Sequence, residues 1–227
     1  MRRRAQPWIV DPSGRWRTTT ATGWATRLYE ASDEVAWAAK LNLLWIVFTL
    51  AGGVILGVGP ATVAAYTLAR QRAHGESVPS WPAFVTAYRR EFWRGSLLVL
   101  PLVGVSILLV TNYFYFASLG PAGTVPRLAT GAAIVALVVI AAYLLPMSVH
   151  YDLRIRTCLP TASLFALTRP APSVLLLFVF TAIVYAAATY PFLVLVVAVG
   201  GWIQLDTWLC LRFFAENEAR LRAKGPS

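Results

Sequence analysis

A chain of 227 residues that is 58% hydrophobic and only 13% charged, with a mean hydropathy of +0.61, is too apolar for a water-soluble domain, where about a quarter of residues carry charge. Its net charge of +10 comes from arginines clustered beside apolar runs. That placement argues against nucleic acid and for anionic lipid headgroups.

Residues 1–27 show no helical or alternating period and hold two prolines and a Thr-rich tract. They read as a basic disordered N-terminal tail, with Trp8, Trp16 and Trp24 able to rest at the headgroup level. Arg2, Arg3 and Arg4 are not followed by an apolar segment, so no cleaved signal peptide is expected. Ser32, with Asp33 and Glu34 behind it, predicts a helix start. From Leu41 to Arg70 no charged side chain intervenes, more than the roughly 17–25 residues a spanning helix needs. Gly52, Gly53, Gly57, Gly59 and Pro60 interrupt this run, which lipid tolerates better than water does.

Between Arg70 and Arg94 the spacing of Phe84, Val85, Tyr88 and Phe92 predicts a short amphipathic helix lying in the interface. Four more apolar runs are long enough to span: Gly95–Ser118, Leu128–Tyr151, Ala171–Thr189 and Phe192–Leu211. The arginine-bearing loops 70–94 and 152–170 and the tail 213–227 are therefore expected in the cytoplasm. The expectation is an all-α, polytopic helical membrane domain over residues 28–212. One crossing for Leu41–Ala69 gives five spans; a hairpin broken at the glycines gives six. A weak internal repeat favours five. Pro60-Ala-Thr62-Val63 with Arg70 ten residues on is similar to Pro146-Met-Ser148-Val149 with Arg156 ten residues on, as parallel repeats require. The side of the N-terminus stays open.

The landmarks Leu41-Asn42-Leu43-Leu44-Trp45, Gly57-x-Gly59-Pro60-Ala61-Thr62, Phe84…Tyr88-Arg89-Arg90-Glu91-Phe92 and Tyr143-Leu-Leu-Pro146-Met-Ser-Val-His150-Tyr151-Asp152 resemble the YesL family of bacterial membrane proteins over roughly residues 28–212. Asn42, Trp45, Gly57, Pro60, Thr62 and Pro146 carry the motif and the helix kinks. The resemblance implies a multi-pass protein of the bacterial plasma membrane, associated with carbohydrate uptake systems that use ABC-type permeases. It brings no catalytic residue.

Asp206 lies within an apolar run, where a lone carboxylate costs about 2.5–3.5 kcal/mol. With Gln204, His150 and Asp152 it forms a candidate intramembrane polar cluster, in which a His150–Asp206 contact would relay protons or hold a polar solute. The plainer assignment is a structural pair. Asn42 and Asn112 are candidates for hydrogen bonds between helices. The segment bearing Trp81, Phe84, Tyr88, Arg89, Arg90, Phe92, Trp93 and Arg94 either docks a partner, such as a permease or ATPase subunit, or rests on lipid. Cys158 and Cys210 lack CxxC or CxxH spacing and read as buried thiols. No nucleophile–base or metal-ligand pattern is present, so no catalytic, cofactor or metal site is expected. Three functions follow in order: a non-enzymatic accessory or regulator of an uptake system, a small-solute carrier coupled to protons through Asp206, and a membrane-embedded enzyme.

Overall fold

The computed structural model of the chain describes residues 8–10, 16–18, 23–76, 79–150, 160, 162–164 and 170–223. The chain divides into two compact units, residues 1–37 and 38–227.

In the first unit, β1 (Trp8–Val10) and β2 (Trp16–Thr18) pair antiparallel, with Trp8 opposite Thr18 and Val10 opposite Trp16. A wholly disordered head is thus corrected over these segments. Tryptophan, Ile9, Val10 and Thr18 favour extended pairing, and the sequence between the strands is of turn-forming composition. Helix α1 (Gly23–Ala51) begins well before Ser32. Ser32 is not its cap, because its hydroxyl donates to the Tyr29 carbonyl inside the helix.

The larger unit is helical. After α1 come α2 (Ile55–Ala73), α3 (Ser80–Arg90) and α4 (Phe92–Ser118). A 3-10 turn over Gly120–Gly123 leads into α5 (Thr124–His150). Then follow α6 (Pro170–Thr189), a π turn over Val194–Ala198, and α7 (Val199–Ala223). Among the described residues, five helical segments are long and apolar enough to cross a membrane: Thr26–Ala51, Phe92–Ser118, Gly120–His150, Pro170–Thr189 and Val194–Glu216. Their outer faces expose large apolar side chains such as Leu97, Ile107, Phe178 and Leu195. A water-soluble monomer seldom shows so much exposed hydrocarbon. The protein is an all-α multi-pass membrane protein apart from the short strand pair.

The five candidate spans match the expected count, but the first is Thr26–Ala51 and not Leu41–Ala69, because the chain reverses at Gly52–Val54. Gly53 takes φ 73°, the left-handed region that glycine enters without a steric penalty, and Val54 follows at φ 63°. Trp45 and Thr62, roughly equidistant from the turn, then meet, the indole donating to the Thr62 hydroxyl at 3.0 Å. Helix α2 is the core of the bundle, with Pro60, Ala61, Ala64, Tyr66 and Leu68 almost fully buried. Its glycines set the packing. A Cβ on Gly59 would lie 2.6 Å from the Gly95 carbonyl oxygen and the Ser96 Cα, so α2 and α4 touch backbone to backbone.

Pro60 and Pro146 cannot donate to the carbonyls four residues earlier. A neighbouring helix covers each. The Ser96 hydroxyl lies 3.1 Å from the Leu56 carbonyl and also 2.8 Å from that of Phe92. The Cys210 thiol lies 3.5 Å from the Ala142 carbonyl. The C-terminal ends of α2 and α5 come together, where Arg70 donates to the Val149 carbonyl at 2.9 Å, so the two proline helices run the same way. Helix α7 continues without a break to Ala223, and Phe214 within it is buried. No separate tail therefore starts at residue 213.

Candidate functional site: a polar clamp and an aromatic cleft

The residues of interest gather in three places. The first is Asn42 on α1, which is completely buried. Its amide nitrogen donates to the Val194 and Leu195 carbonyls at 3.1 and 2.7 Å. Its oxygen accepts from the Val199 and Gly200 backbone N–H groups, both at 3.0 Å. These groups flank the junction where the π turn gives way to α7. There the regular hydrogen-bond ladder breaks, and a spanning segment has no water to repair it. One amide uses both donors and both lone pairs to close the gap. Gly200 permits the approach, because a Cβ there would meet the Ala38 carbonyl.

The second place is Asp206 on α7. The Tyr66 hydroxyl donates to its carboxylate at 2.6 Å, and the Cys210 thiol, one helical turn on, lies 3.7 Å from its other oxygen. All three members of the cluster are at most 1% exposed, so they face neither lipid nor water. The expected His150–Asp206 contact does not form. His150 stacks on Phe214, ring centroids 5.6 Å apart, and Asp206 takes its bonds from Tyr66 and Cys210. Gln204, two residues before Asp206, points to a different face of α7. Asp152, Arg154, Arg156 and Cys158 lie outside the described residues.

Sequence reasoning missed Tyr66 and Cys210 as partners of Asp206. The i,i+4 spacing of Asp206 and Cys210 signals a shared helix face. Nothing in sequence pairs Tyr66 with a residue 140 positions away.

The third place is around α3. Pro79 precedes it and Glu91 ends it, so Phe92, Trp93 and Arg94 belong to α4 and not to one continuous amphipathic helix. Phe84 is fully buried, whereas Trp81 and Trp93 are exposed. Phe48 of α1 packs among Trp81, Phe84 and Tyr88, with ring centroids 5.4, 4.9 and 5.1 Å away. Tyr88 in turn meets Phe92 edge-on at 5.7 Å. Beside these rings lies a cavity of about 540 Å³, walled by Phe48, Trp81, Tyr88 and Phe92 and rimmed by Arg89. Ala51, Gly52 and Val85 complete its lining.

The Tyr88 hydroxyl is covered and has no hydrogen-bond partner among the described residues. Burial raises its pKa above the usual phenol value, so it is a neutral donor at physiological pH. Glu91 holds Arg90 at 2.9 Å and Arg94 at 3.4 Å. Arg94 also reaches the Ser148 carbonyl at 3.4 Å. With Arg70 on Val149, two cations thus serve the carbonyl end of α5, the end where positive charge is favoured.

The family described as "Protein of unknown function, DUF624" matches residues 38–113. The uncharacterized protein YesV of Bacillus subtilis (strain 168) is 34% identical over 173 residues, which cover 74% of this chain and 81% of YesV. The chain belongs to the DUF624 family. The uncharacterized protein YesL of the same organism is 33% identical over 139 residues, 61% of this chain and 66% of YesL. A third relative, the uncharacterized protein YteU, is 40% identical over 80 residues, or 34% of this chain and 36% of YteU. No solved structure matches. The DUF624 match takes in Asn42, the α1–α2 turn, Tyr66 and the aromatic cleft. Asp206, Cys210 and the π turn lie beyond it.

Proposed function

We propose that this DUF624 protein is a non-enzymatic membrane protein that assists or regulates a solute uptake system, with a permease or ATPase subunit as its partner. The observation that carries this reading is the mounting of α3. Its inner side chains Phe84 and Ala87 are buried in the bundle, while Trp81, Arg89 and Arg90 are exposed on a helix held at the end of a membrane-length segment. A basic, aromatic surface on a fixed helix suits an acidic protein face, and tryptophan and arginine dominate such contacts. Carbohydrate as the solute class comes from the resemblance to YesL-type proteins alone. The partner-facing side is taken as cytoplasmic from the arginine bias of the loops.

Pull-down of the intact protein from its own membranes, read by mass spectrometry, tests the idea. Arg89→Ala together with Arg90→Ala is expected to lower recovery of permease or ATPase subunits about tenfold, equivalent to ~1.4 kcal/mol. The elution profile should stay unchanged. Undiminished recovery rejects docking through α3.

A proton-coupled carrier is the second reading, supported by a carboxylate inside a membrane-length segment. The closure of Asp206 by Tyr66 and Cys210 favours a structural role for it instead. Asp206→Asn keeps an acceptor for Tyr66 and is expected to fold and to leave partner recovery intact. If uptake into reconstituted vesicles occurs with the unaltered protein and vanishes with the folded Asp206→Asn protein, the carrier reading takes its place.

A further inference from the structure

We propose that the cleft between α1, α3 and the start of α4 is a discrete binding site for one anionic phospholipid. One acyl chain lies against the aromatic wall and the headgroup sits at Arg89. The cavity of about 540 Å³ has apolar sides of Phe48, Trp81 and Phe92 and two polar features, the Tyr88 hydroxyl and Arg89. That hydroxyl is buried without a partner among the described residues, and a buried donor left unpaired is costly. A phosphate or ester oxygen would satisfy it.

Glu91 engages Arg90 and Arg94, whereas no carboxylate among the described residues pairs with Arg89. Positive charge at the rim therefore remains for a headgroup. The cleft also lies beside the first residues of α4, where a membrane-length apolar run begins, at the level that arginine and tryptophan prefer. A free inorganic anion would leave the aromatic wall unused. A purely apolar occupant would leave Tyr88 and Arg89 unmet. An amphiphile with a negative head answers both.

The test titrates the detergent-purified full chain with dioleoylphosphatidylglycerol or dioleoylphosphatidylcholine and counts bound lipid by native mass spectrometry. The unaltered protein is expected to hold the anionic lipid in preference to the zwitterionic one. Val85→Trp, which fills the cleft, should lower that affinity about tenfold. Arg89→Gln should abolish the preference between headgroups while retaining chain binding. Leu108→Trp, on the exposed face of α4, should change nothing.

Where Val85→Trp disturbs folding, Tyr88→Phe removes the hydroxyl at constant shape and should still weaken binding. Equal retention of both lipids by the unaltered protein overturns the proposal. So does undiminished binding after both Val85→Trp and Tyr88→Phe. These two substitutions leave Arg89 and Arg90 in place, so lipid loss with partner recovery intact separates this site from docking.

Discussion

Alanine at position 42 is expected to destabilise the protein by at least about 3 kcal/mol, because it strands buried backbone groups that each cost ~1–3 kcal/mol when unpaired. Four bonds converge on this one amide, from Val194, Leu195, Val199 and Gly200. Among the described residues, Asn42 is the only side chain that bonds the backbone at this junction. The measurement is the unfolding midpoint of the purified protein in detergent, with hydrogen exchange across residues 192–202 as a local readout. Faster exchange confined to that segment marks the clamp. An Asn42→Ala protein within about 0.5 kcal/mol of the original, a level at which ordinary surface changes fall, shows that the junction holds itself.

The second large effect is steric. At Gly59 a Cβ would sit 2.6 Å from two backbone atoms of α4, and at Gly95 one would sit 2.9 Å from the Pro60 Cα. Backbone cannot rotate away as a side chain can. Gly59→Ala is therefore expected to push α2 off α4 and cost roughly 1–3 kcal/mol, the usual range for overpacking. Because α2 is the buried centre, the shift should also loosen the Tyr66–Asp206 bond. Gly104→Ala is the control: nothing lies within 4 Å of its Cβ position, and alanine suits a helix better than glycine does. Thermal midpoints in detergent should fall for Gly59→Ala and hold or rise for Gly104→Ala. Equal behaviour of the two would contradict the close approach of α2 and α4.

Some of the site was legible and some was not, for reasons that differ by residue. The cost of a carboxylate in lipid marked Asp206 as a residue that must be paired, and it is. Its partner was misjudged, because depth estimated along separate helices cannot say which faces turn together. His150 and Asp206 were matched by level, and His150 instead stacks on Phe214. Asn42 was marked as a bond-former between helices. That it serves the backbone of a π turn was invisible, since one extra residue per turn leaves no mark on an all-apolar run such as Phe192–Trp202. The hairpin at Gly52–Val54 was visible only as one of two alternatives. The faint proline repeat pointed to a single crossing, although the parallel course of α2 and α5 that it implied does exist.

Composition and the lengths of the apolar runs determined by themselves that this chain is a bundle of membrane-length helices, and where α4, α5 and α6 lie. Those properties follow from a bilayer of fixed thickness that forces every backbone group to bond within its own helix. Tertiary structure alone decided which polar groups meet: Asn42 with the π turn, Tyr66 with Asp206, Cys210 with the carbonyl that Pro146 leaves open, and Phe48 with the aromatic face of α3. Such pairings join residues far apart in the chain. They depend on helix rotation and on glycine-scale contacts between backbones, which hydropathy does not encode.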